Sequence, residues 1–268
     1  MFKKMIFTIL SSLLIIYFLI TLLLYFSQRK LLYYPTTNNY FGDELRVNVE
    51  KVKINTEDNL ELLAWHHHKN NKLKTILYLH GNAGTLENRI HKINHFEDMD
   101  VNFLLLSWRG FSGNEGKPTE QGLYKDARGA VKWLNEKGIN DKDIVIYGES
   151  LGTGISTEIA KDKNFAGVIL ESPFTSMIEA GATKYPIFPV KLLLKDKYES
   201  SKKIKKIKSP ILIMHGQADS LVPFWMGQKL FDLANEPKYF FFPKNEEHMM
   251  EFNKDLLNSL KIFIKSLN

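Results

Sequence analysis

No cysteine occurs in the 268 residues, so the chain has no disulfide framework, no thiol nucleophile and no thiolate metal site. That absence is compatible with either side of a membrane. Charge is missing too, from Met5 to Phe26. The glycine-rich stretch from Trp108 to Gly116 (WRGFSGNEG) lacks the Gly-Lys-Ser/Thr that closes a Walker A loop, which excludes that mode of nucleotide binding. His91 and His95 stand four apart, but Lys92 occupies the position where a zinc protease needs a glutamate. His66, His67 and His68 would alternate faces along a strand and cannot converge on one ion. No metal and no cofactor is expected. Neither an internal repeat nor a low-complexity tract is present.

The excess of positive charge is local. Lys3, Lys4, Arg29 and Lys30 flank the apolar run and supply four of the net six charges. The remainder holds 32 basic against 30 acidic residues, close to balance, and nothing in it asks for nucleic acid. With 44% hydrophobic and 25% charged residues the chain is globular in composition, and its length suits one α/β domain.

The uncharged run of about 22 residues would span a hydrocarbon layer of ~30 Å as a helix. A cleavable signal peptide has a shorter apolar core, ~7–15 residues, and ends in small residues. Leu24-Tyr25-Phe26-Ser27-Gln28 offers no such site. The reading is an uncleaved membrane anchor over 1–27, a juxtamembrane linker over 28–46 and a catalytic domain over 47–268. Tyr33 and Tyr34 in the linker either meet the lipid interface or pack under the domain. Basic residues are equal in number on the two sides of the run. A very short N-terminal tail is easiest to leave in the cytoplasm, so the body is expected outside it.

Beyond the linker, 47–54 alternates like a half-exposed edge strand and 60–65 makes a second strand. Short, continuously apolar runs at 75–79, 102–107, 144–147, 166–170 and 210–214 have the pattern of strands buried on both faces, and 238–242 is the final strand. Helical spacing falls at 86–96, 119–138, 155–161, 223–233 and 249–267. Strands alternating with helices predict a mostly parallel sheet covered by helices on both faces. Residues 175–209 lack a simple period; the apolar part, 185–194, could wall a pocket as a minimal cap. In 201–209 (SKKIKKIKS) five lysines surround Ile204 and Ile207, either as a solvated amphipathic turn or as a contact for anionic headgroups.

One stretch organises the rest. Ile144 to Tyr147 runs into Gly148-Glu149-Ser150-Leu151-Gly152, followed by a helix. A strand that turns sharply into a helix presents the turn residue at the sheet's carboxyl edge, and the two glycines relieve the crowding. Ser150 is the candidate nucleophile. Asp219 and His248 each follow a later strand, so the topology gathers them at the same edge. A serine hydroxyl needs a base during attack, an imidazole supplies it, and a carboxylate fixes the imidazole's tautomer. The order Ser, acid, His is that of the nucleophile-elbow class. Oxyanion donors are expected from Leu151, directly after the nucleophile, and from Asn82 (or Ala83) in the loop after 75–79. Glu171, ending the next strand, is the rival acid; Glu149 should point away from the Ser150 hydroxyl.

His80-Gly81-Asn82-Ala83-Gly84, Arg109-Gly110-Phe111-Ser112-Gly113, Gly148 to Gly152, Glu171-Ser172-Pro173-Phe174 and His215-Gly216-Gln217-Ala218-Asp219 with Val222-Pro223 together resemble the α/β-hydrolase superfamily. More closely the chain looks like its Bem46-like branch, the ABHD13/ABHD17 type of N-terminally anchored serine hydrolases. The resemblance covers most of the chain after residue 28. It implies an α/β-hydrolase fold, a Ser150–Asp219–His248 triad and hydrolysis of acyl esters or thioesters without a cofactor. Two departures bear on the pocket: Ser107-Trp108 stands where the branch has Asp-Tyr, and Glu247-His248-Met249 replaces Gly-His-Asn. The expected partner is a small-molecule or lipid-like acyl substrate. A peptidase of the prolyl-oligopeptidase type would need a recognition domain for which there is no room. A non-catalytic scaffold would have no use for an intact triad.

Overall fold

The computed structural model describes residues 1–35 and 44–267. Part of the expected linker, 36–43, therefore lies outside the described residues. Helix α1 (Phe2–Leu32) has no buried residue and is long and apolar enough to cross a membrane. At ~1.5 Å per residue its 31 residues measure about 46 Å, more than a bilayer core needs. It runs past residue 27 into the stretch expected as linker. Its last turn meets the body, where Arg29 pairs with Asp196.

Among the described residues eight strands form one sheet: β1 (Glu50–Asn55), β2 (Glu61–His67), β3 (Thr75–Leu79), β4 (Asn102–Leu106), β5 (Ile144–Glu149), β6 (Gly167–Glu171), β7 (Ile211–Met214) and β8 (Lys238–Phe241). Their spatial order is β1-β2-β4-β3-β5-β6-β7-β8. Strand β2 is antiparallel to both β1 and β4, and from β4 to β8 every pairing is parallel. This is the mostly parallel α/β sheet expected. The central strands are buried along their whole length because both faces are covered.

Alternation along β3 shows how the two cores divide. Leu77 and Leu79 join one core with Leu123, Ala127 and Leu134 of α3 (Glu120–Glu136) and Ile155 of α4 (Leu151–Ala160). Ile76 and Tyr78 join the other with Leu256, Leu260 and Phe263 of the last helix. Between β3 and β4 the expected helix is a brief α2 (Ile90–Ile93) with a single 3-10 turn at each end. Between β6 and β7 lie α5 (Met177–Lys184), α6 (Val190–Leu193) and α7 (Ser200–Lys203), the minimal cap. The lysine-rich stretch folds as an amphipathic turn: Ile204 and Ile207 are buried, and Lys203 is held by Glu158 and Tyr124.

Helix α8 (Phe224–Leu233) precedes β8, and α9 (Lys254–Lys265) closes the chain. Helix α9 starts five residues later than expected. Asn253 caps it by accepting from the Asp255 and Leu256 N–H groups, which leaves the residues before it as a loop.

Candidate active site

Strand β5 delivers the chain to Ser150, whose backbone sits at φ 49° and ψ −112°, a strained conformation for a residue with a side chain. The turn persists because its surroundings fix it. The Ser150 N–H donates to the Glu171 carbonyl at 2.8 Å, and the Thr153 N–H donates back to the Ser150 carbonyl at 2.9 Å. A Cβ on Gly152 would lie 1.9 Å from the Leu79 carbonyl oxygen, and one on Gly148 would meet the Ser156 hydroxyl at 2.4 Å. Only glycine lets β3, β5 and α4 approach so closely.

The three residues expected to work together do meet. His248 Nε2 lies 2.9 Å from Ser150 Oγ, and His248 Nδ1 lies 2.8 Å from Asp219 Oδ2. With Nδ1–H donating to the carboxylate, Nε2 is free to accept the serine proton. The His248 carbonyl accepts from Ser172 Oγ at 2.7 Å, which ties the loop bearing the imidazole to the end of β6. Asp219 is buried, and its Oδ1 accepts from the N–H groups of Leu221 (2.9 Å) and Val222 (2.8 Å). Burial alone would raise its carboxyl, but hydrogen bonds from His215 and His248 and from the Val222 N–H outweigh that. The carboxyl is held well below the usual carboxylate range.

His215, fully buried, backs the same carboxylate. Its Nε2 lies 3.0 Å from Asp219 Oδ2 and 2.9 Å from the Val222 carbonyl, so the carboxylate oxygen is shared by two imidazoles. His80 is fully buried, with Nδ1 2.8 Å from the Gly81 carbonyl. Desolvation, and then the nearby Arg89 guanidinium, push it down to about 3, so this imidazole stays neutral. Trp108, one of the two departures, is buried and donates from Nε1 to the His80 carbonyl at 3.1 Å. It braces the loop that holds Asn82.

The rival acids are occupied elsewhere. Lys92, wholly buried, donates to Glu149 Oε2 at 2.9 Å and Glu171 Oε1 at 2.7 Å. Tyr78, Arg89 and the Gly81 N–H also donate to Glu149, and Tyr147 donates to Glu171. Burial opposes ionisation of Glu149, yet Arg89 and Lys92 hold its carboxyl low. Sequence reasoning missed this cluster. The available signal was a pair of glutamates ending adjacent buried strands, which need a cation, and a lysine lodged between the apolar Ile90 and Ile93. Arg89 also donates to the Ala83 carbonyl at 2.7 Å, so the cluster braces the 80–84 loop against the Ser150 turn.

Leu151 and Asn82 line the same cavity as Ser150. Leu151 opens α4, where the first N–H groups have no partner inside the helix. The cavity measures about 460 Å³ and its wall is largely apolar, with Phe174, Met177, Phe188 and Leu193 from the β6–β7 connection. Opposite them stand Leu24, Leu31 and Leu32 of α1. Among the described residues no cluster of His, Asp and Glu is suited to hold a metal ion. The arrangement can attack an acyl carbon, receive its proton on an imidazole and accommodate an apolar acyl chain.

Comparison with known proteins agrees with this fold. The alpha/beta hydrolase fold family matches residues 74–202. An uncharacterized protein of Mycobacterium tuberculosis is 35% identical over 190 residues, covering 70% of this chain and 68% of the relative. The lysophosphatidylserine lipase ABHD12 of Danio rerio is 33% identical over 184 residues, 61% of this chain; the match spans only about half of that relative, 48%. ABHD-type relatives are thus found, as expected. Among solved structures, an esterase of Pyrococcus furiosus superposes with a TM-score of 0.71 at 20% identity, over 88% of this chain and 100% of the esterase.

Proposed function

Because this chain belongs to the alpha/beta hydrolase fold family and is a hydrolase of that fold, we propose that it is a membrane-anchored serine hydrolase that cleaves acyl ester or thioester bonds. The observation that carries the reading is the unbroken hydrogen-bonded chain Ser150–His248–Asp219, opening onto an apolar cavity.

In this mechanism Ser150 Oγ attacks the acyl carbon while its proton passes to His248 Nε2. The carbonyl π pair moves to oxygen, and the N–H groups of Leu151 and Asn82 receive that oxyanion. One such donor is worth about 3 kcal/mol of barrier. Collapse expels the alcohol or thiol, which takes the proton from Nε2, and leaves an acyl-Ser150 ester. Water then attacks that ester, gives its proton to Nε2, and the carboxylic acid departs as the proton returns to Oγ. Asp219 stays ionised throughout, orienting His248 and stabilising its cationic form.

The apolar helix α1 is the tether, with residues 47–268 as the catalytic body on the outer side of the membrane. An apolar cavity and a lipase among the relatives support a lipid-like acyl substrate. The test is hydrolysis of p-nitrophenyl esters of increasing acyl length by the full chain and by Ser150→Ala. Hydrolysis lost in the variant is the expected result; equal rates for the two proteins would overturn the reading.

A further inference from the structure

The wall that α1 gives to the cavity bears on how substrate reaches Ser150. The cavity follows α1 from Leu32 back to Leu24, eight residues or about 12 Å along the helix axis. Its far end therefore reaches the upper end of the uncharged run, the level at which hydrocarbon begins if α1 crosses a bilayer. The opposite wall, residues 185–194, descends along the same helix. Gln28 Nε2 donates to the Leu193 carbonyl at 3.2 Å, and Tyr17 OH donates to the Ile187 carbonyl at 2.8 Å. The Tyr17 and Phe188 rings stack at 5.5 Å.

Tyr17 lies about 12 Å below Tyr25 on the helix, within the ~15 Å that one leaflet's hydrocarbon provides. The outward side chains of this segment suit that level, with Ile187 71% and Leu192 83% exposed. In water they would form an exposed apolar patch beside an already apolar helix. At the upper end Lys195 Nζ lies 4.1 Å from the Tyr25 ring centroid, a cation and an aromatic ring at headgroup height.

The same helix end is fastened to the loop of the proposed oxyanion donor. Asn82 Nδ2 donates to the Leu32 carbonyl at 2.8 Å, the Tyr34 N–H donates to the Asn82 carbonyl at 2.8 Å, and Tyr33, buried, shares a 2.8 Å hydrogen bond with Tyr198. The anchor is thus built into the site at two points, as a wall of the cavity and as a brace of its donor loop.

We propose that residues 185–194 dip into the leaflet beside α1, and that the groove between them admits the acyl chain of a bilayer lipid from the hydrocarbon directly to Ser150. The inference rests on the serine-hydrolase reading above. The occupant is one acyl chain of a membrane lipid, whose ester carbonyl is drawn up to Ser150 while its tail stays level with the bilayer interior. Lys184 and Lys191 carry their ammonium groups to the headgroups on flexible stems.

The experiment uses the full chain in phosphatidylcholine vesicles, with two readouts. The first, independent of catalysis, is Ile187→Trp fluorescence in vesicles whose acyl chains are brominated. Quenching of the added tryptophan signal is expected; an unquenched signal overturns the proposal. The second is the ratio of turnover of 4-methylumbelliferyl oleate in the vesicles to that of p-nitrophenyl butyrate in solution. Leu24→Trp, which fills the far end of the groove, should lower that ratio about tenfold, as expected for roughly two methylenes that can no longer be buried. A ratio unchanged within twofold, with both esters still hydrolysed, overturns this inference and leaves the serine-hydrolase reading standing. Quenching of the Ile187→Trp signal as expected, with wild-type protein in the same vesicles hydrolysing neither ester, overturns the underlying reading, and this proposal with it.

Discussion

Replacing Asp219 by asparagine changes one atom and reverses the logic of the site. Asp219 Oδ1 is committed to two backbone donors, Leu221 and Val222. The amide oxygen of the new side chain must remain there, because an NH2 group would face two N–H donors. The amide nitrogen therefore replaces Oδ2 and points at His248 Nδ1, 2.8 Å away, and at His215 Nε2, 3.0 Å away. Both are donors in the native arrangement. His248 can relieve its clash only by moving its proton to Nε2, the atom that must accept from Ser150. A wrong tautomer of this kind lowers kcat by about 10⁴, which is about 5 kcal/mol at 1.36 kcal/mol per decade. The assay is steady-state hydrolysis of p-nitrophenyl butyrate, with circular dichroism to confirm folding and Glu171→Gln for comparison. KM should change little, since Asp219 does not line the cavity. A folded Asp219→Asn protein losing less than about tenfold in kcat would refute the reasoning and return the orienting role to another acid.

Further outcomes follow from the buried charges and from the proposed anchor. Lys92→Met leaves Glu149 and Glu171 without their shared cation and should destabilise the fold by about 3–5 kcal/mol, read as a lower denaturant midpoint; the triple variant with Glu149→Gln and Glu171→Gln should recover much of that loss. His80 is held at about 3, below its ordinary ~6.5, so the unfolded chain takes up a proton there that the folded chain refuses. Its contribution is fully present above about pH 6.5 and falls by about 1.4 kcal/mol per pH unit down to about 3. Asp219 and Asp58, both held low, add losses as pH falls below about 4. Denaturation curves from pH 7 to 4 should show the histidine slope in the wild type and a flatter line in a folded His80→Asn protein. In intact cells, protease added outside should digest the body without permeabilisation; protection until the cells are opened would reverse the proposed orientation.

Much of this architecture was legible in the residues. The continuous apolar runs at 75–79 and 144–147 have the pattern of doubly covered strands, and β3 and β5 occupy them. The glycines around Ser150 forecast the close approach seen at Gly152, where an added Cβ would lie 1.9 Å from the Leu79 carbonyl oxygen. What stayed hidden depends on contacts distant in sequence. Lys92 reads as an ordinary helix-surface lysine until β5 and β6 bring Glu149 and Glu171 to it, residues 57 and 79 positions away. The end of α1 was equally illegible: Gln28 to Leu32 reads as linker by composition. Asp196, 167 residues on, pairs with Arg29, and Gln28 bonds the chain beside it, so helix continues there. Boundaries such as the start of α9 turn on a single capping side chain, which periodicity does not weigh.

The central claim is that Ser150 is an activated nucleophile. A fluorophosphonate probe reacts with a serine whose proton is being taken by a base, and with few others. The account predicts covalent labelling of the wild-type chain, mapped by mass spectrometry to the peptide containing Ser150, and none of Ser150→Ala. Folded, vesicle-reconstituted wild-type protein that takes no label, or label that persists in Ser150→Ala, would contradict it.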